Sequence, residues 1–273
     1  MATRSLEYGK SIIRWQTDKD GGFTGVVIAN GKRTDPISDE NEERLLARLK
    51  NEAGKLHPHY IGMQGAINRF LEFMPGGFSG ERSEEMEGEY KRKASAALND
   101  VLPLSAAREA TNADAMRVRK APVWINLLSP YEAMHLKEAL ESDTGGAFLQ
   151  GAAKFADGDY AEGAAAMERA IADHGRLSWP TATYFPYLWQ PDNHMFLKPV
   201  ATCDFAERTG HPFQFEYEPS ISGGVYEGLL DLAGTTLEAL RSHGGRDYMD
   251  VQSFIWVVGA YNEEHRPDQA GSE

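Results

Sequence analysis

Residues 178–202, SWPTATYFPYLWQPDNHMFLKPVAT, constrain the fold more than any other stretch of the chain. Trp179, Tyr184, Phe185, Tyr187, Trp189, Met195 and Phe196 are large apolar anchors, punctuated by prolines at 180, 186, 191 and 199. Proline fixes φ and lacks a backbone donor, so neither one regular helix nor a central strand runs through the whole segment. Side-chain packing must hold it, as a wall of the core or as the lining of a site. One polar group interrupts the aromatics: Asp192, Asn193, His194 and Lys198. Carboxylate, imidazole and ammonium this close in sequence suit acid–base work or contact with an anion. Asp192, His194 and Lys198, with the flanking Trp179 and Trp189, are therefore candidate ligand or nucleic-acid contacts.

Outward from this segment, 273 residues that are 41 % hydrophobic and 25 % charged allow one large domain or two modest ones. No run approaches the roughly 18 apolar residues of a membrane span, and MATRSLEYGKSIIRW lacks the apolar stretch of a signal peptide. The single cysteine, Cys203, excludes an internal disulfide and a cysteine zinc cluster. The expectation is a cytoplasmic protein with no membrane partner. A formal charge of −13 disfavours a sequence-independent grip on nucleic acid, which depends on lysine and arginine neutralising phosphates. The charge is uneven, however: acidic clusters lie at 39–43 and 81–89, and basic ones at Lys91-Arg92-Lys93 and at Arg117, Arg119 and Lys120.

Apolar residues at Ile12, Ile13 and Trp15, then Phe23, Val26, Val27 and Ile28, with Asp20-Gly21-Gly22 and Asn30-Gly31 as turns, read as a β-meander. Ser38 is the expected cap of a first helix whose stripe is Leu45, Leu46 and Leu49, ending at Gly54. Further helices are expected over 62–73 and 83–98. Residues 103–119 have little apolar period and read as a linker, so the expected domains are 1–112, α+β, and 113–273, mainly helical. Residues 121–128, APVWINLL, read as a buried strand or extended segment. Ser129-Pro130-Tyr131-Glu132 starts a helix with a capping box. Residues 148–174 form a helical pair resembling half of a tetratricopeptide unit, without a second copy. Helices over 200–209 and 224–242 and an apolar one capped by Asp250 complete the chain, before a frayed tail from 263. The expected class is α+β, predominantly helical: a small N-terminal β-meander with helices, followed by a helical domain.

Chemical motifs are sparse. Asp18-Lys19-Asp20-Gly21 resembles a calcium loop, but Ala29 stands where the bidentate glutamate belongs. The glycines at 25 and 31 are wrongly spaced for a phosphate loop. His57-Pro58-His59 offers two imidazoles without a partner at known ligand spacing, so no metal and no cofactor is expected. Pro191-Asp192 followed by Phe196-Leu197-Lys198 lacks the second acidic ligand of a PD-(D/E)xK nuclease. Nucleophilic catalysis finds no motif, and no catalytic residue is assigned. Tyr90-Lys91-Arg92-Lys93 could stack on and neutralise a nucleic-acid strand, or simply form a solvated helix face.

FLEFMPGGF, EYKRKA, LSPYEAMHLKEAL, QPDNHMFLKPVAT and DVQSFIWVV together resemble an uncharacterised bacterial protein family. More loosely, the C-terminal third resembles helical domains that accompany McrB-like restriction ATPases, although no ATPase motor is present. That resemblance and the basic clusters imply a non-enzymatic, DNA-associated accessory protein of genome maintenance or defence, with Lys91, Arg92 and Lys93 as contacts and a protein partner also expected. Two other readings stand beside it: a small-molecule-binding protein or enzyme with a pocket lined by the 178–202 aromatics, and a helical interaction scaffold.

Overall fold

The structure, a computed structural model, describes residues 3–29 and 31–267. It is α+β and predominantly helical, with an antiparallel sheet preceding the helices. Contacts divide the chain into two units, 1–68 with 203–217, and 69–202 with 218–273. This division differs from the boundary expected near 112, because the linker reading of 103–119 does not hold. Thr111 and Asp114 form a reciprocal capping box that starts a helix, Asn112–Lys120, and Leu104–Ala107 is already a helical turn. Short polar side chains that looked like linker composition satisfy the free N–H groups of a helix end.

In the first unit, β1 (Arg4–Tyr8), β2 (Ser11–Thr17), β3 (Phe23–Ala29) and β4 (Lys32–Arg33) pair in order, and β5 (Ile37–Asp39) pairs with β3. The expected meander is present; of its two turns, Asp18–Gly22 closes by a 2.7 Å backbone bond, whereas Asn30 lies outside the described residues. The β2–β3 register sets Ile13 opposite Val27, and both are fully buried. Against this face α1 (Glu42–Lys55) lays Leu45 and Leu49, with Tyr8 and Ala53 completing the cluster. Asn41, and not Ser38, caps α1: its side chain accepts from the Arg44 amide at 2.9 Å. Ser38 is committed to the β5 ladder opposite Thr24.

The chain changes unit within α2 (Gly62–Phe73), again after residue 202 and once more after residue 217. In the second unit the helix expected over 83–98 is interrupted. A turn at Glu81–Ser83 leads into a π-helical turn, Glu84–Gly88, and only then into α3 (Glu89–Val101). There follow α4 (Asn112–Lys120), α5 (Pro130–Glu141) with its Ser129–Glu132 capping box, and the pair α6 (Gly145–Ala156) and α7 (Tyr160–Ile171). Residues 121–128 form turns and pair with no strand among the described residues. The Tyr184 hydroxyl donates to Val123 O at 2.6 Å and accepts from Ile125 N at 3.1 Å, which satisfies the backbone that a ladder would otherwise have served.

The 178–202 segment is a buried wall. Ser178 caps α8 (Trp179–Trp189), all of whose residues are buried. Pro186 lies inside the helix, where a missing amide costs roughly 3 kcal/mol in an ordinary helix. Here packing on every side outweighs that cost: Trp124 stacks on Tyr184, Phe148 meets Phe185 edge-on, and Trp179 stacks on Tyr226. The helix stops before Pro191, as the proline spacing requires, and Lys198 leads into α9 (Pro199–Thr209). α10 (Gly223–Leu240) and α11 (Tyr248–Ala260) close the unit. Asp247 caps α11 in place of Asp250, whose carboxylate is taken by Arg92 and Arg246. The tail is ordered as far as it is described, since Arg82 donates to His265 O at 2.7 Å; 268–273 lie outside the described residues.

Candidate functional site

The polar residues of 178–202 do not converge. Asp192 is exposed, while His194 is buried in a closed hydrogen-bonded pair. The Nε2–H of His194 donates to Ala156 O at 2.9 Å, and Nδ1 accepts from the Tyr226 hydroxyl at 3.1 Å. Burial holds this imidazole below its ordinary pKa, against the opposing pull of the Ala156 carbonyl and Asp157. Trp179 and Trp189 are core residues whose indole N–H groups donate to Glu218 O and Leu102 O. His194 and the two tryptophans serve the fold, and Lys198 faces a cleft.

The basic triplet on α3 is also divided. Lys91 is fully buried, with its ammonium 2.9 Å from Glu87 and 2.8 Å from Ser253 Oγ. Arg92 binds Asp247 and Asp250 at 2.6 Å each. Lys93 alone is exposed, beside Glu89. In the second basic cluster Arg117 pairs with Asp114 and Arg119 with Glu141. Helical spacing explains the loss: residues 87 and 91 are one turn apart on the inward face, whereas 93 points away.

Lys198 lines a cleft of about 260 Å³ together with Glu87, Tyr90, Asn126, Gln252 and Trp256. That volume is just below the roughly 300 Å³ at which pockets for drug-sized ligands begin, so an occupant is small. Five segments build the cleft, α3 with Tyr90 and the turns of 121–128 with Asn126 among them. The π-turn 84–88, a form of helix often found at functional sites, supplies Glu87; α11 supplies Gln252 and Trp256 one turn apart; and the residue preceding α9 supplies Lys198. The Lys198 ammonium stands 4.6 Å from the centre of the Trp256 ring, a cation–π contact that positions it without neutralising it. Glu87 is already compensated, accepting from Lys91, from Tyr90 at 3.2 Å and from Tyr261 at 2.9 Å. Burial, then the Glu87 charge, pushes the Tyr90 phenol well above its ordinary range, so it stays a donor at neutral pH.

Gln252 is the exception to this satisfaction. It is 5 % exposed, and its Oε1 is buried with no hydrogen-bond partner. An unpaired buried amide oxygen costs about 1–3 kcal/mol, and this one belongs to a cleft-lining side chain. The cleft therefore combines a cation free of ion pairs among the described residues, an indole face and the side chain of Gln252, whose amide oxygen is buried and unpartnered. Gln252 and Glu87 were missed by the sequence reading. The available signal was a polar glutamine inside the otherwise apolar run DVQSFIWVV, and an acidic residue four before Lys91.

Cys203 is half-buried, and its thiol is pushed up to about 11 by burial and then by the charge of Glu207, so it is protonated at neutral pH. No described helix is long and apolar enough to cross a membrane. No protein-family model, no curated protein and no solved structure matches this chain.

Proposed function

We propose that this chain binds a small organic anion in the Lys198 cleft, of the class of short carboxylates that carry a neighbouring hydroxyl or amino group. The observation that carries the reading is the buried, unpartnered Oε1 of Gln252, a side chain that lines the same cleft as Lys198. An ammonium selects an anion, and a buried acceptor rejects any anion without an N–H or O–H to offer. The Trp256 face adds apolar contact for a short carbon skeleton, and the buried Lys91–Glu87 pair beneath contributes no net charge to compete. The reading is one of binding, with Lys198 for the anion and Gln252 for its donor. A DNA-associated role draws less support, because Lys91 and Arg92 are neutralised within the fold.

Thermal-shift titration of the purified chain with short carboxylates, each with and without an adjacent hydroxyl or amine, and with inorganic phosphate, tests this. Hydroxy- or amino-carboxylates are expected to raise Tm saturably, and Lys198→Met is expected to abolish that rise while leaving the ligand-free Tm within a few degrees. Stabilisation that persists in Lys198→Met, or that phosphate matches, would count against the assignment.

A further inference from the structure

Independently of the Lys198 cleft, we infer that His57, His59 and Glu207 bind one divalent transition-metal ion of the zinc type, with a coordination position left open to an adjoining cavity. The two imidazoles follow α1 and the carboxylate belongs to α9, so sequence spacing could not join them. In the fold their ligand atoms all lie within 4.8 Å of one another, and His57 Nε2 is 3.3 Å from Glu207 Oε2. Ligands about 2.1 Å from a tetrahedral ion are ~3.4 Å apart, so one pair already has the required separation and His59 closes the third side by side-chain rotation.

The backbone around the three residues is fixed. A Cβ on Gly54 would fall 2.3 Å from Gly210 O, so glycine there lets the end of α1 touch the end of α9. Ile61 N donates to Arg208 O at 2.8 Å, tying the chain beyond His59 to the residue after Glu207. His57 N and Tyr60 N bond back within the turn, to Gly54 O and His57 O. Two histidines and a carboxylate thus meet on a preformed frame, which is how metal sites gain affinity over exposed, mobile side chains.

The donor set fits the ion. Imidazole nitrogen with one carboxylate oxygen suits zinc and its neighbours in the first transition row, and not calcium or magnesium, which take oxygen ligands. Three protein ligands with open space beside them is the pattern of sites that keep a water or substrate position, in contrast to closed structural sites. The space is a cavity of about 480 Å³ that all three residues line, together with Lys10, Ser11 and Gln214. In the metal-free chain His59 N donates to His57 Nδ1 at 3.3 Å, which directs the Nε2 proton at Glu207. When the ion takes Nε2 that proton moves to Nδ1, so the long bond from His59 N is given up in the exchange.

The test uses the full-length chain, free of any polyhistidine tag and stripped with a chelator. It is titrated with Zn²⁺ by calorimetry and with Co²⁺ by visible absorption. One ion per chain is expected, with cobalt bands of a four- or five-coordinate N/O site. Glu207→Gln and His59→Asn are each expected to weaken binding at least about tenfold, whereas His174→Asn, which changes a histidine outside the cluster, is expected to bind as the native chain does. Both ligand variants alter side chains that are not in the core, so an unchanged metal-free Tm confirms that they fold. Absence of stoichiometric binding to the native chain, or undiminished binding in both ligand variants, would overturn the assignment.

Discussion

Lys91 Nζ lies 2.9 Å from Glu87 Oε2 with both side chains inside the second unit, at the back of the Lys198 cleft. Burial pulls the ammonium pKa down, and Glu87 opposes that pull. Removing one partner of such a pair leaves the other charge buried alone, which costs about 3–5 kcal/mol. Lys91→Ala is therefore expected to lose stability by that amount, and Lys91→Met combined with Glu87→Gln to lose markedly less. Urea unfolding of the three proteins measures both, and a Lys91→Ala cost below about 1 kcal/mol, the range of exposed pairs, would contradict the burial of the pair.

The His194 imidazole sets an acid limit on stability. Its folded pKa lies below the 6.5 of the unfolded chain, so at lower pH the unfolded state binds the extra proton first. Its contribution is complete above 6.5 and is lost as pH falls through that value towards the folded pKa. Denaturant midpoints measured between pH 8 and pH 5 are expected to fall on the acid side. In His194→Gln, which keeps polarity without titrating, the slope in that window is expected to flatten.

Gly163 lets α7 approach α6 closely. A Cβ there would stand 2.6 Å from Phe155 N, a backbone atom that cannot swing aside. Gly163→Ala would gain about 1 kcal/mol in an isolated helix, yet here it is expected to lower Tm, because overpacking costs about 1–3 kcal/mol. Calorimetry of the variant decides the sign.

Gln252 offers a trade between stability and binding. Gln252→Leu keeps similar volume and removes the unpartnered amide oxygen, so the variant is expected to melt above the native chain by a few degrees while losing response to the carboxylates. A fall in Tm would mean that the amide serves the fold.

How far the sequence discloses these features depends on the range of the interactions. The meander, the 62–73 helix and the Ser129 cap are legible because turn chemistry, periodicity and capping act within a few residues. Asn41 displaced Ser38 as a cap, and Asp247 displaced Asp250, because partners distant in sequence had already claimed the expected residue. The 178–202 segment showed its burial through its aromatics, whereas nothing in its sequence separates Lys198, which lines a cleft, from the exposed Asp192 and the buried His194. Its neighbours at 87, 126, 252 and 256 come from distant parts of the chain, and no spacing rule links them. Lys91-Arg92-Lys93 looked like a basic face because composition does not say which side of a helix is inward.

The most direct measurement of the cleft is the indole N–H resonance of Trp256, identified by its loss in Trp256→Phe, followed while short hydroxy- and amino-carboxylates are titrated into the labelled chain. The ring lies 4.6 Å from the Lys198 ammonium, so an anion that engages Lys198 alters its surroundings. The expected result is a saturable shift for at least one hydroxy- or amino-carboxylate, a much weaker one for the analogue lacking the donor, and none in Lys198→Met. A resonance that stays unmoved across the series, or that moves equally in Lys198→Met, would contradict the assignment of the cleft as an anion site.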